Sequence, residues 1–171
     1  HEHVAILKSA IENAYDKEFS RLGFGQNKVM PIEHIPVENQ TRRHRFESML
    51  ESHIGETGDY EHAREKLVDE LTFTLFNRLA AVKVMEAANL FPPIITRRAE
   101  HGGRSFGHKA WLETNPHQRD EELEGLRNYI KVAFDKLGTS LPLFSSEYPF
   151  SLFPDTISLN EIIDLINAVE L

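Results

Sequence analysis

Cysteine is absent from all 171 residues, which excludes disulfides and thiolate metal sites. A chain without it neither needs nor reveals an oxidising compartment, and the cytoplasm is the expected location. Positive charge is also scarce: 19 Lys and Arg stand against 27 Asp and Glu, a formal charge of −8. Non-specific coating of nucleic acid is driven by cations that neutralise phosphates, so this balance argues against it and leaves only local basic patches. Long apolar runs are missing as well. The longest, Leu71 to Phe91, is broken by Asn77, Arg78, Lys83 and Glu86, whose insertion cost excludes a membrane span. No basic start followed by an apolar core marks a signal peptide. Walker loops, a DEAD-type box and a Ser-His-Asp arrangement are absent too, so no catalytic residue is assigned.

What is present suits one helical domain over residues 1–171, since 40% hydrophobic residues in a chain of this size can bury a normal core. The chain starts at His1-Glu2-His3 without Met and stops at Leu171 inside an apolar helical pattern. It therefore reads as a piece of something longer. The Leu71 to Phe91 stretch is apolar on nearly every side, the signature of a helix in the middle of a domain. Its polar residues must then be paired or reach the surface.

Around it, Val4, Leu7, Ile11, Ala14, Tyr15, Phe19 and Leu22 recur at spacings of three and four, one face of an amphipathic helix stopped by Gly23. A second helix is expected from Asn39 to Ile54. Asp59 offers an N-cap for the long central helix, residues 59–89, which Pro92 and Pro93 end. Residues 94–114 carry glycines and no sustained period, and read as a loop or short strand-like pieces. Asn115 and Pro116 look like the start of a fourth helix traced by Leu123, Leu126, Ile130, Phe134 and Leu137 and closed by Gly138. Leu141 to Pro154 is an aromatic connector that must lie across the core to hide Leu143, Phe144, Tyr148, Phe150 and Phe153. Ser158 and Glu161 form a capping box for a last helix carrying Ile162, Ile163, Ile166 and Val169. The expected fold is all-α: about five helices packed around the central one, with an irregular basic loop and the connector.

Nine histidines invite a metal reading, but none are spaced one turn apart on a helix, and ordinary surface histidines are the expectation for His44, His53 and His62. Gly23-Phe24-Gly25 follows a helix and lacks a third glycine, so it is a helix stop and no cofactor turn is assigned. Two cation clusters are candidates for DNA-backbone contact: Arg42, Arg43 and Arg45 at the start of the second helix, and Arg97, Arg98, Arg104 and Lys109 in the glycine-bearing loop. Solvated charge is the competing reading of both. Glu70, Thr74 and Arg78 share a helix face, and Arg78 is expected as a buried, paired structural arginine.

These residues carry a resemblance. Phe73 to Pro93, FTLFNRLAAVKVMEAANLFPP, resembles a helix in the N-terminal region of large adenine-specific DNA methyltransferases, the PglX-like enzymes of BREX phage-exclusion systems and related single-chain restriction-modification enzymes. Phe76, Asn77, Arg78, Lys83, Met85 and Glu86 stand in the pattern's places. A second stretch, Phe134 to Glu170, resembles the passage that leads into a helix ahead of the family's catalytic domain. Pro142, Leu143, Phe144, Leu152, Phe153, Pro154 and the helix from Ser158 carry that match.

The resemblance implies a parent enzyme that transfers a methyl group from S-adenosylmethionine to adenine N6, with DNA and other defence-system subunits as partners. The family's glycine-bearing cofactor motif and Asn-Pro-Pro-Tyr-type motif are absent, so this region is expected to be a non-catalytic scaffold, with Phe76, Asn77, Arg78, Met85 and Glu86 structural. The rival reading is a free-standing helical interaction module that binds a partner through the aromatic connector.

Overall fold

The computed structural model describes residues 2–169. His1, Glu170 and Leu171 lie outside them, and with them part of the His1-Glu2-His3 cluster and of the apolar C-terminal end. The fold is all-α, with six α-helices and one two-stranded ladder among the described residues: α1 (Glu2–Arg21), α2 (Val37–Thr57), α3 (Tyr60–Ala87), β1 (Arg97–Arg98), β2 (Arg104–Ser105), α4 (Phe106–Thr114), α5 (Leu126–Gly138) and α6 (Thr156–Ala168).

Helix α3 packs against α1 and α2, while α6 closes on α1 and α5. The turn between α2 and α3 needs Gly58, whose φ of 85° is the left-handed conformation that ends a helix, with its N–H bonded to the Ile54 carbonyl. Asp59 follows as the N-cap, its side chain accepting from His62 N at 2.9 Å. The core joins Leu7, Ile11, Tyr15 and Phe19 of α1 to Leu71, Leu75 and Leu79 of α3. Phe134 of α5 and Ile162 and Ile166 of α6 complete it.

Helix α3 is not buried all round. Phe73 is 65% exposed and Val84 is 59% exposed. The two lie eleven positions apart, about three turns, and therefore on one stripe of the helix. The chain's other elements cover the remaining sides of α3 and leave this flank open among the described residues.

Three local readings are corrected. The segment 94–114 does contain strand-like pieces, with Arg97 opposite Ser105 and Arg98 opposite Arg104, but it ends in helix α4. Nine residues with Gly107 near the start are too few to establish a helical period. The legible sign was Ser105, whose Oγ accepts from His108 N at 3.1 Å as an N-cap. Gly107 itself is required, since a Cβ there would collide with the Tyr129 hydroxyl and lie 2.8 Å from the Pro93 carbonyl.

The helix expected from Asn115 begins only at Leu126, after 3-10 turns at Pro116–Asp120 and Glu122–Gly125. Leu123 and Glu124 have φ of 49° and 55° there, and Leu123 is 43% exposed instead of lining the helix. Tertiary bonds from Arg104 and His108 to Glu124 hold that left-handed turn.

The cap of the last helix also moves. Asp155 caps α6, accepting from Ser158 N at 2.9 Å, and Ser158 becomes a buried first-turn residue. Asp155 and Ser158 have the same three-residue spacing as Ser158 and Glu161, so the pattern alone could not choose.

Candidate nucleic-acid interface

The loop cations are largely spent on the fold. Arg97 extends its guanidinium to Asp164 and to Asn160 Oδ1, the latter at 2.7 Å, and its backbone N–H donates to Asn167, so it ties the β-ladder to α6. Arg104 makes a two-pronged bond to Glu124, both distances 2.9 Å. This planar fork matches a carboxylate geometrically and fixes both partners. The Glu124 carbonyl also accepts from His108 Nε2 at 2.8 Å. A carbonyl can only accept, so that ring nitrogen carries the proton, and burial pushes the His108 pKa down, favouring the neutral ring. Only Arg98 and Lys109 of the four are exposed.

The Arg104 bonds hold the Glu124 carboxyl below the usual carboxylate range. A depressed folded-state pKa means that the fork stabilises the fold above the unfolded value and that this is lost as pH falls through the folded value. Wild type should therefore lose more melting temperature below about pH 4 than Arg104→Gln, which has no fork to lose. Superimposable acid profiles would remove the fork from the account of stability.

The second cluster divides similarly. Arg43 is buried, donates to the Leu22 carbonyl at 3.2 Å and lies over the Phe24 ring at 4.9 Å. Arg42 is ion-paired with Glu18 and donates to the Phe153 carbonyl at 2.6 Å. Arg45 is exposed.

Of the residues in the Phe-Asn-Arg and Met-Glu pattern, two act as fasteners. Arg78, only 2% exposed, donates from Nε to the Leu143 carbonyl at 2.7 Å and from Nη2 to the Ser145 carbonyl at 3.0 Å. It does not share Glu70, which instead bonds His53 Nε2 at 2.6 Å. Glu86 accepts three consecutive backbone N–H groups, those of Ile94, Ile95 and Thr96. Asn77, Phe76 and Met85 are half-buried, the latter two against the core.

Arg42 and Arg45 meet three cations that the clusters did not include. Together with Arg78, and with Arg127 and Lys131 of α5, they line a cavity of about 230 Å³ beside the aromatic connector. Arg127 and Lys131 are one helical turn apart, a spacing visible in the sequence, but the pattern of α5 marks only its apolar face. Comparison with family models, curated proteins and solved structures found no match.

No three His, Asp or Glu side chains converge as a metal site among the described residues. Neither does any helix there have the length and apolarity to cross a membrane. The connector hides Phe144, Leu152 and Phe153, half-buries Leu143 and Phe150, and leaves Tyr148 38% exposed.

Proposed function

We propose that this chain is the N-terminal helical region of an adenine-specific DNA methyltransferase of the PglX-like or single-chain restriction-modification kind, acting in the cytoplasm as a non-catalytic scaffold that touches the DNA backbone. The observation that carries the reading is the Arg78 clamp. The resemblance rests on two segments far apart in sequence, and Arg78 of the first holds the backbone of the second through Leu143 and Ser145. A shared structural role for the two segments is what a common motif requires. The coding frame downstream of Leu171 is the direct test: an Asn-Pro-Pro-Tyr-type motif there supports the reading, and a stop codon before any such motif sinks it.

The chain's only ladder is a two-stranded antiparallel one among the described residues, with no parallel sheet to carry a glycine turn for S-adenosylmethionine. Calorimetry on this chain should show no stoichiometric S-adenosylmethionine site, and a micromolar one would overturn the assignment of the region as non-catalytic.

DNA contact falls to the cations that the fold leaves exposed, Arg45, Arg98 and Lys109. Reversing them to Glu in the full-length enzyme should weaken binding equally on cognate and unrelated DNA, because phosphate contacts position a protein without reading bases. The slope of log affinity against log salt should become shallower by roughly 0.9 for each phosphate no longer neutralised. Unchanged affinity and slope would remove the backbone-contact role. Arg97 and Arg104 are unsuitable for this test, since a reversed charge would face Asp164 or Glu124 and disturb the fold.

A further inference from the structure

The cavity beside the connector has a charge balance that scaffolding does not require. Arg42, Arg45, Arg78, Arg127 and Lys131 arrive from three helices, and Asp135 is the one carboxylate in the lining. Most of the bonds these cations make are to carbonyls: Arg78 to Leu143 and Ser145, Arg127 Nε to Pro154 at 2.9 Å, Arg42 to Phe153. A carbonyl satisfies an N–H but cancels no charge. Glu18 neutralises Arg42 while also facing Arg21, and Arg45 and Lys131 form no ion pair among the described residues.

Burial, and after it the like charge of Arg42, pull the Arg127 pKa down; burial does the same to Arg78. Crowding cations in a partly desolvated recess is unfavourable, and a bound anion reverses the sign of that interaction. The carbonyl bonds also fix the guanidinium groups before any ligand arrives, so little side-chain entropy is lost on binding.

We propose that this cavity is a binding site for a phosphoryl group. Three features select that chemistry over a simple carboxylate. The excess of cations suits a dianion, and a phosphoryl group offers three acceptor oxygens to the N–H groups that the arginines leave free beyond their carbonyl bonds. The hydroxyls of Ser146 and Ser151 stand in the same lining, and Ser151 already donates to the Ser146 carbonyl at 2.9 Å, which leaves its oxygen lone pairs for an incoming donor such as a protonated phosphate oxygen or a bridging water. The volume admits one or two linked phosphates with water and is too small to enclose a drug-sized ligand. Arg78 is almost buried while Arg45 and Lys131 are exposed, so the group enters past a charged rim to an inner arginine. A phosphate at a nucleic-acid end and a free phosphate or pyrophosphate share this chemistry.

The site goes beyond the methyltransferase reading and does not depend on it. Its test is a titration of this chain at low salt with inorganic phosphate, pyrophosphate and a short single-stranded oligonucleotide with or without a 5′-phosphate, followed by calorimetry and thermal melting. One-to-one binding of pyrophosphate with a raised melting temperature is expected. The rim variant Arg45→Glu with Lys131→Glu, checked for folding by circular dichroism, should bind at least about tenfold more weakly, the effect of losing one charge-assisted hydrogen bond. Arg98→Glu with Lys109→Glu should bind as wild type does. Preference for the 5′-phosphorylated oligonucleotide over the unphosphorylated one identifies a nucleic-acid end as the source, and pyrophosphate binding without that preference identifies a free phosphate. No stoichiometric binding of any phosphorylated probe by wild type, undiminished binding by the folded rim variant, or equal loss in both variants would each overturn the site.

Discussion

Glu86→Ala should unfold at a much lower urea concentration than wild type, with a loss of about 3 kcal/mol or more. That size follows from the three N–H groups that the carboxylate satisfies, each of which costs about 1–3 kcal/mol when left buried and unpaired. Helix α3 ends at Ala87, where a left-handed Asn89 at φ 57° turns the chain back, and Pro92 and Pro93 follow outside the helix. Ile94, Ile95 and Thr96 then run past the helix with no strand partner for these N–H groups, and Glu86 takes all three at 3.0 Å each. A loss of this size is a large part of the roughly 5–15 kcal/mol that holds a typical domain together. Glu86→Gln keeps one acceptor oxygen and should fall between the two. A midpoint for the alanine variant within error of wild type would show that the returning segment finds other partners.

Leu79→Ala should be comparably damaging, at about 2–5 kcal/mol, the range for removing a fully buried leucine from a packed core. Leu79 has no exposed surface. Phe76, three positions earlier on the same apolar helix, has a different environment: it is only half-buried, with the Lys8 ammonium 4.8 Å from its ring centre. An exposed cation–π contact contributes about 0.5–1 kcal/mol, so Phe76→Ala should cost clearly less than Leu79→Ala. Urea denaturation of both variants decides this. Equal losses would mean that the open flank of α3, with Phe73 and Val84, is covered in solution.

The contrast between Leu79 and Phe76 marks where a local pattern stops being informative. Both lie in a stretch apolar on all sides, and the pattern places both in the middle of the domain. Periodicity reports which faces of a helix are apolar, while burial depends on how many neighbours the fold brings to them. The same limit explains the fourth helix. Leu123 fits the period of Leu126 and Ile130, but the Arg104 fork and the His108 bond hold Glu124 in a left-handed turn, and the helix starts after it. Those partners are 20 and 16 residues away in sequence.

The basic clusters show the limit most clearly. Arg42, Arg43 and Arg45 look alike in sequence, yet they are an ion-paired clamp, a buried carbonyl clamp and an exposed cation. A run of cations records charge but not what each side chain meets. Arg127 and Lys131 carry no signal in the sequence because each is ordinary on an exposed helix face; they gain meaning only beside Arg42, Arg45 and Arg78, which come from other helices.

By itself the sequence determined the all-α class and the first three helices. It also marked Arg78 as a charge that the fold must accommodate, although the expected pairing is replaced by bonds to the Leu143 and Ser145 carbonyls. Those features follow from local rules: a 3.6-residue period, glycine punctuation, and the cost of an unpaired buried charge. Only the tertiary structure decided which apolar face stays open, which arginines are bound to carbonyls and which five cations share one cavity. Each of those depends on residues far apart in the chain meeting across helices, and no local pattern encodes which partners meet.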